Sequence, residues 1–253
     1  MSSLVLPNGK IENIKMVIFD KDGTLIDVHH YWCSMIEFRA HFFVKSLENK
    51  NIDNDALYND LVDSMGIDLN TKKMKPEGPV GIKPRTFIID VAYDTIYKYI
   101  SNYTKDKVVD IFAQVDEYSK TKLKEIIIPL VGVRELLGSL KENNILCSIA
   151  TTDLSTRATL AMENLNVKDY FIDIVGADLV ENAKPSPDLV RYINHRHNLS
   201  MEDVIVVGDS MADLNMAKNA KCRFLGVETG LYTDEFIENS QYSVSDLTQV
   251  KVI

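Results

Sequence analysis

Five short apolar runs punctuate the chain: MVIF (16–19), ILCSIA (145–150), FIDIV (171–175), VIVVG (204–208) and CRFLGV (222–227). They are rich in Val and Ile and poor in alternation, which predicts strands buried on both faces of a parallel sheet. Helical spacing fills the gaps between the later runs. Val133, Leu136, Leu137 and Leu140 make one apolar face, Leu160, Met162 and Leu165 a second, and Leu189, Val190 and Ile193 a third, opened by Pro185 and Pro187. Met211, Leu214, Asn215 and Ala217 mark a fourth helix. Strands alternating with helices of this length predict an α/β fold, a doubly wound parallel sheet of Rossmann-like type.

The first run breaks the rhythm. Roughly 100 residues separate it from the second, far more than one crossover helix needs. That interval reads as helical: YWCSMIEFRAHFFVKSLENK, DALYNDLVDSMG closed by Gly66, TFIIDVAYDTIYKYIS and KDKVVDIFAQVDEYSKTKLK. Four such helices can bury their faces on one another. The expected organisation is a core of residues 1–26 and 127–253 with an inserted α-helical domain over 27–126. Its middle, 71–85, is too rich in Pro, Gly and Lys for a helix.

Composition narrows the function classes. The chain has 253 residues, 45% hydrophobic and 26% charged, ordinary for a globular protein with a real core. A formal net charge of -9 would repel a polyanion, so nucleic acid is not an expected partner. No apolar run approaches the roughly 18 residues needed to span a bilayer, and MSSLVLPNGKIENIK lacks the pattern of a signal peptide. Cys33, Cys147 and Cys222 form no paired motif, so reduced thiols and a cytoplasmic location are expected.

Candidate chemistry gathers where the apolar runs end. In open α/β sheets, ligands bind beyond the carboxyl ends of the strands. Asp20 and Asp22 follow the first run, Thr151 and Thr152 the second, Lys184 comes after the third, and Asp209 and Asp213 follow the fourth. Residues i and i+2 of an extended segment face the same side, so Asp20 and Asp22 are expected together. Residues i and i+4 share a helix face, which would join Asp209 to Asp213. Close carboxylates repel unless they share a proton or a cation, and Mg²⁺ prefers such oxygen donors. With a lysine and a hydroxyl nearby, the set suits phosphoryl transfer: one carboxylate attacks phosphorus while the cations offset charge.

These motifs, in this order, resemble those of the haloacid dehalogenase superfamily. DKDGT is similar to its DxDGT motif, Thr151 to the Ser/Thr of the second motif, Lys184 to the basic third, and GDSMAD to the acidic fourth. The inserted helices resemble the cap that many members carry after the first motif. Within the superfamily the likeness is to phosphoglycolate-phosphatase-like enzymes. The resemblance implies a Mg²⁺-dependent phosphatase acting on a small phosphorylated metabolite through an aspartyl-phosphate. Asp20 would be nucleophile and metal ligand. Asp22 would protonate the leaving oxygen, then activate water, its backbone carbonyl touching the metal. Asp209 and Asp213 would complete the metal site. Thr151 and Lys184 would hold the phosphoryl oxygens, with Gly23, Thr24 and Thr152 beside them.

Plainer readings stand beside these. Asp20 and Asp22 could end a strand in a turn, Thr151 could cap a helix (as could Thr152 or Asp153), Lys184 could be a surface lysine, and Asp213 could serve a helix dipole. His29 and His30 could reach a substrate or simply be solvated. Lys72, Lys73 and Lys75 fit a solvated connector, whereas Lys83 and Arg85, in GPVGIKPR, are candidates for contact with an anionic substrate. Trp32 and the insert's Tyr and Phe residues are expected in its core. A phosphomutase is the nearest rival function, and a non-catalytic phospho-ligand-binding protein is the rival from another class. A dehalogenase would lack Asp22. The helix faces predict no particular oligomeric state.

Overall fold

The computed structural model describes residues 2–80, 83–231 and 234–253. The chain folds as two compact units, one of residues Met1–Val28 with Ile127–Ile253, the other His29–Ile126.

Among the described residues the first unit holds nine strands: β1 (Leu4–Leu6), β2 (Gly9–Ile11), β3 (Met16–Phe19), β4 (Leu146–Ala150), β5 (Phe171–Val175), β6 (Val204–Gly208), β7 (Arg223–Val227), β8 (Ser243–Val244) and β9 (Lys251–Val252). Six form a parallel sheet in the order β5-β4-β3-β6-β7-β8. Strand residues alternate between two cores. Val17, Phe19, Cys147, Ile149, Ile205 and Val207 belong to one, and Met16, Ile18, Ala150, Val204 and Val206 to the other. With both faces covered, the central strands need no polar alternation, which is why β3 and β6 are buried at every position.

The sheet is of the expected α/β type, with three departures. β5 is only half-buried, because an edge strand has a neighbour on one side alone. The fifth apolar run is followed by a sixth, two-residue strand, β8, which carries no periodicity to read. A separate antiparallel sheet, β2-β1-β9, joins the two ends of the chain, with Ser3 N donating to Ile253 O at 2.8 Å. Strands of two or three residues are too short to show a period, and β9 finds its partner β1 only at the other end of the chain.

Helices α1 (Val28–Ser46), α2 (Asn54–Met65), α3 (Arg85–Tyr97), α4 (Lys105–Thr121) and α5 (Leu123–Ile126) follow β3; α6 (Val133–Glu142), α7 (Ser155–Asn164), α8 (Asp188–His197), α9 (Met211–Ala220) and α10 (Asp234–Asn239) alternate with the later strands. In α6 all four predicted apolar positions are buried, as are those of α8. Helix α7 differs. Met162 and Leu165 are buried as expected, together with Ala158 and Ala161, but Leu160 is 47% exposed. In α9, Leu214, Met216 and Ala217 are buried while Met211 and Asn215 are half-buried. Among the described residues no helix is long and apolar enough to cross a membrane.

The helical unit packs Ile36, Phe43, Leu57, Leu61, Ile96 and Phe112 inside. Asp53 caps α2, accepting from the backbone N–H of Asp55 and Ala56, and Gly66 closes it at φ 115°, a left-handed conformation that favours glycine. Not all its aromatics are core. Phe87 and Tyr97 are exposed and Trp32 is half-buried against Tyr31, because a small unit has too little interior for so many rings. The described residues of the predicted irregular segment over 71–85 form no helix before Arg85; its Gly81 and Ile82 lie outside the described residues.

Candidate active site

From β3 the chain runs outward through β4 and β5, then returns to β6 on the other side of β3. The carboxyl ends of β3 and β6 are therefore the topological switch point of the sheet, where a crevice forms. Asp20 follows β3 there, its N–H donating to Val207 O at 2.8 Å, and Asp209 follows β6.

Lys184 arrives from the loop before α8, next to a cis bond to Pro185. Its Nζ bonds Asp20 Oδ1 and donates to Asp213 Oδ1 at 2.6 Å. Asp213 sits in the first turn of α9, where Ser210 caps the helix and donates through Oγ to Asp213 Oδ2 at 2.5 Å. Thr24 Oγ1 donates to Asp209 Oδ1 at 3.2 Å. Asp20, Thr24, Asp209 and Asp213 are buried, and so is the side chain of Lys184, whereas Ser210 is half-buried. Gly23 has φ 90°, and a Cβ there would come within 2.3 Å of Asp209 Oδ2, so glycine is required by both backbone and space.

Asp22 lies beside this cluster, not in it. β3 ends at Phe19, and the following residues turn back, with Leu25 N donating to Lys21 O. A turn, not the period of a strand, thus sets the relation of Asp22 to Asp20. The Asp22 carboxylate pairs with Lys21 at 3.2 Å, and Lys21 also donates to Asp153 Oδ2 at 2.7 Å. Thr151 is buried at the end of β4, and its Oγ1 accepts from Asp153 N at 3.1 Å; Thr152 is exposed. None of Thr151, Thr152 and Asp153 is the N-cap of α7. That position is Leu154, and Asp178 reaches across to accept from Ser155 N at 2.7 Å.

Electrostatics mark the cluster as incomplete. Burial pushes the Asp20 carboxyl up to about 7, with Asp213 and Asp22 adding to the rise and Lys184 opposing it. Burial, then Asp20 and Asp213, also raise Asp209 well above the usual carboxylate range. Burial opposes the charge on Lys184, but Asp20 and Asp213 outweigh it and hold the ammonium above its ordinary value. One lysine thus faces three buried carboxylates. Ligand oxygens of Asp20, Asp209 and Asp213 lie within 4.8 Å of one another. All are hard oxygen donors carrying surplus negative charge, a set that fits Mg²⁺ or a similar cation.

The helical unit holds the remaining candidates. Lys83 is exposed; Arg85 is exposed and paired with Asp116 at 2.6 Å. His30 Nε2 meets Glu125 O at 2.8 Å. Sequence reasoning passed over Lys21, Ser210, Thr229 and Gly230. Thr229 Oγ1 donates to Gly23 O at 2.5 Å, and a Cβ on Gly230 would strike Asp209. The strand-end rule extended to the fifth run would have reached both, since they follow β7 directly.

The sequence pattern of the haloacid dehalogenase-like hydrolase family matches residues 17–227. The phosphoglycolate phosphatase of Vibrio cholerae is 30% identical over 110 residues, which cover 44% of this chain and 49% of that protein. The chain thus spans about half the length of the curated relatives it matches. Among solved structures, a predicted phosphoglycolate phosphatase from Haemophilus somnus superposes with a TM-score of 0.62 at 18% identity, covering 94% of this chain and 96% of that one. A hydrolase of the same superfamily from Geobacter sulfurreducens gives 0.61 at 19% identity, covering 96% of each chain. At those identities the likeness is one of fold.

Proposed function

We propose that this chain, which belongs to the haloacid dehalogenase-like hydrolase family, is a Mg²⁺-dependent phosphatase of small phosphorylated metabolites. The observation that carries this reading is the buried cluster at the switch point, where Asp20 lies in contact with Lys184 and within reach of Asp209 and Asp213. A bound divalent ion, held by Asp20, Asp209 and Asp213 with the backbone carbonyl of Asp22, would offset charge on the transferring phosphoryl group.

The chain's own residues do the rest. An Asp20 oxygen attacks phosphorus and the ester P–O bond breaks, leaving an aspartyl-phosphate. The departing oxygen takes its proton from the Asp22 carboxyl. Water then attacks phosphorus, giving its proton to Asp22, and the bond to Asp20 breaks to release phosphate. Lys184 and Thr151 hold phosphoryl oxygens, and the Gly23–Thr24 turn and Thr152 border them. Residues His29–Ile126 act as a cap, with Lys83 and Arg85 selecting anionic substrates.

Phosphoglycolate is the first substrate to try, since the curated relatives carry that name. The test is phosphate release from a panel of metabolite phosphates with and without Mg²⁺. Release that requires the ion and is lost in Asp20→Asn supports the reading. Full turnover in that variant would overturn it, and a bisphosphorylated product would make the enzyme a mutase.

A further inference from the structure

Lys21 is a lysine with 5% of its surface exposed, between two carboxylates from different strands' ends. Its Nζ lies 2.7 Å from Asp153 Oδ2 and 3.2 Å from Asp22 Oδ2. Burying an ammonium is costly unless its partners are fixed. Here they are. Asp153 accepts from Leu154 N at 2.8 Å through its other oxygen, and its own N–H donates to Thr151 Oγ1. Arg157 approaches Asp153 Oδ1 at 3.6 Å from α7. Asp153 is thereby a rigid post on the β4 loop, and Lys21 is the strut from that post to Asp22. Asp22 itself is half-buried on a turn, where a short side chain has freedom to rotate unless something holds it.

We infer that Lys21 is a positioning residue: anchored on Asp153, it holds the Asp22 carboxyl in line with the leaving oxygen of the substrate. This rests on the phosphatase reading above. The proton given to the leaving oxygen comes from Asp22 and returns to it from water, so Lys21 gains and loses nothing in the cycle. Its contribution is orientation.

Leaving groups separate this role from a merely structural one. A nitrophenolate departs without a proton, whereas an alkoxide needs one. The ratio kcat/KM reports only the steps up to formation of the aspartyl-phosphate, before the water step common to both esters. With Mg²⁺ present, Lys21→Met is expected to lower kcat/KM for an alkyl phosphate by about 10- to 100-fold, but for p-nitrophenyl phosphate by only about 3-fold. Asp153→Asn, which weakens the post and keeps the strut, should show the same split in smaller measure, and Lys21→Arg should recover part of the alkyl ester rate. Should Lys21→Met fail to fold, the other two variants are read by the same criterion. Equal losses on both esters, or a gain on the alkyl ester, overturn the inference while leaving the phosphatase reading intact. A wild-type chain inactive on every phosphate ester overturns both.

Discussion

At the sheet edge, Lys184 reaches across 164 positions of sequence to Asp20; in the helical unit, Lys120 reaches three positions to Glu117. The first pair is buried, with Lys184 3% exposed, whereas the second is 65% and 73% exposed. Lys75–Asp63 and Lys105–Asp90 in the helical unit are likewise at the surface. Exposed pairs are screened by water and contribute little, so the helical unit owes its stability to its apolar faces. The core cluster cannot be explained as a stabilising device. Three acids crowded against one lysine in a low dielectric cost stability, and such an arrangement implies a task.

Changes at the two places should therefore act differently, most of all on activity. Asp20→Asn is expected to reduce phosphate release by more than about 10³-fold, because it removes the proposed nucleophile, with an unchanged circular dichroism spectrum. Wild-type rates in that variant would remove the core site from the comparison.

Next in size is the response to metal. Mg²⁺ at about 100 times its Kd should stabilise the wild-type chain by about 2.7 kcal/mol in thermal melts. Asp209→Asn, relieved of one buried like charge, should melt higher than wild type without the ion and gain less from it. Equal gains in both would contradict the metal site. The pH dependence follows the same charges. With Asp20 raised from 3.8 to about 7, the folded chain keeps a proton that the unfolded chain gives up. Without a divalent ion, stability should fall as pH rises between those values, and Mg²⁺ should flatten the slope.

Gly23→Ala is expected to cost about 1–3 kcal/mol in chemical denaturation, since it forces a Cβ onto Asp209 at a positive φ. The helical unit offers one buried charge for contrast. Arg39 is 5% exposed and lies over the Phe112 ring at 4.5 Å, and its Nε and Nη1 have no hydrogen-bond partner among the described residues. Arg39→Met should be neutral or stabilise by about 1 kcal/mol, as removal of a poorly compensated charge does. A large loss of stability there would mean that the helical unit, too, depends on buried charge. Smallest is Arg85→Ala, which loses an exposed pair with Asp116 and should change stability by about 0.2–1 kcal/mol. Its effect should appear in the ranking of substrates instead, measured across the same metabolite panel.

Much of the core was legible because burial on both faces leaves an unambiguous mark. MVIF and VIVVG, read as strands buried on both faces, are central strands with polar residues at their ends, whereas FIDIV, read the same way, is an edge strand. Legibility failed where structure is short or shared. The β2-β1-β9 sheet is invisible to local periodicity, and Leu160 mimics a core position because helical spacing alone does not say which of two adjacent stripes meets the sheet. Lys21 was passed over for a related reason. Between two aspartates it looks like a solvated charge, and its burial depends on Asp153, which β4 delivers from 132 positions away.

The sequence by itself determined most of the strand and helix periods, and with them the α/β class, the helical interval after the first apolar run and the residue types at the ends of those runs, because these follow from local rules of burial and spacing. Only the tertiary structure decided which acids come together. Asp209, Asp213 and Lys184 meet Asp20 because β6 pairs with β3, and Asp22 leans on Lys21 because β4 lies on the other side. Electrostatic coupling depends on distance through space in a low dielectric, and no spacing along the chain encodes that distance.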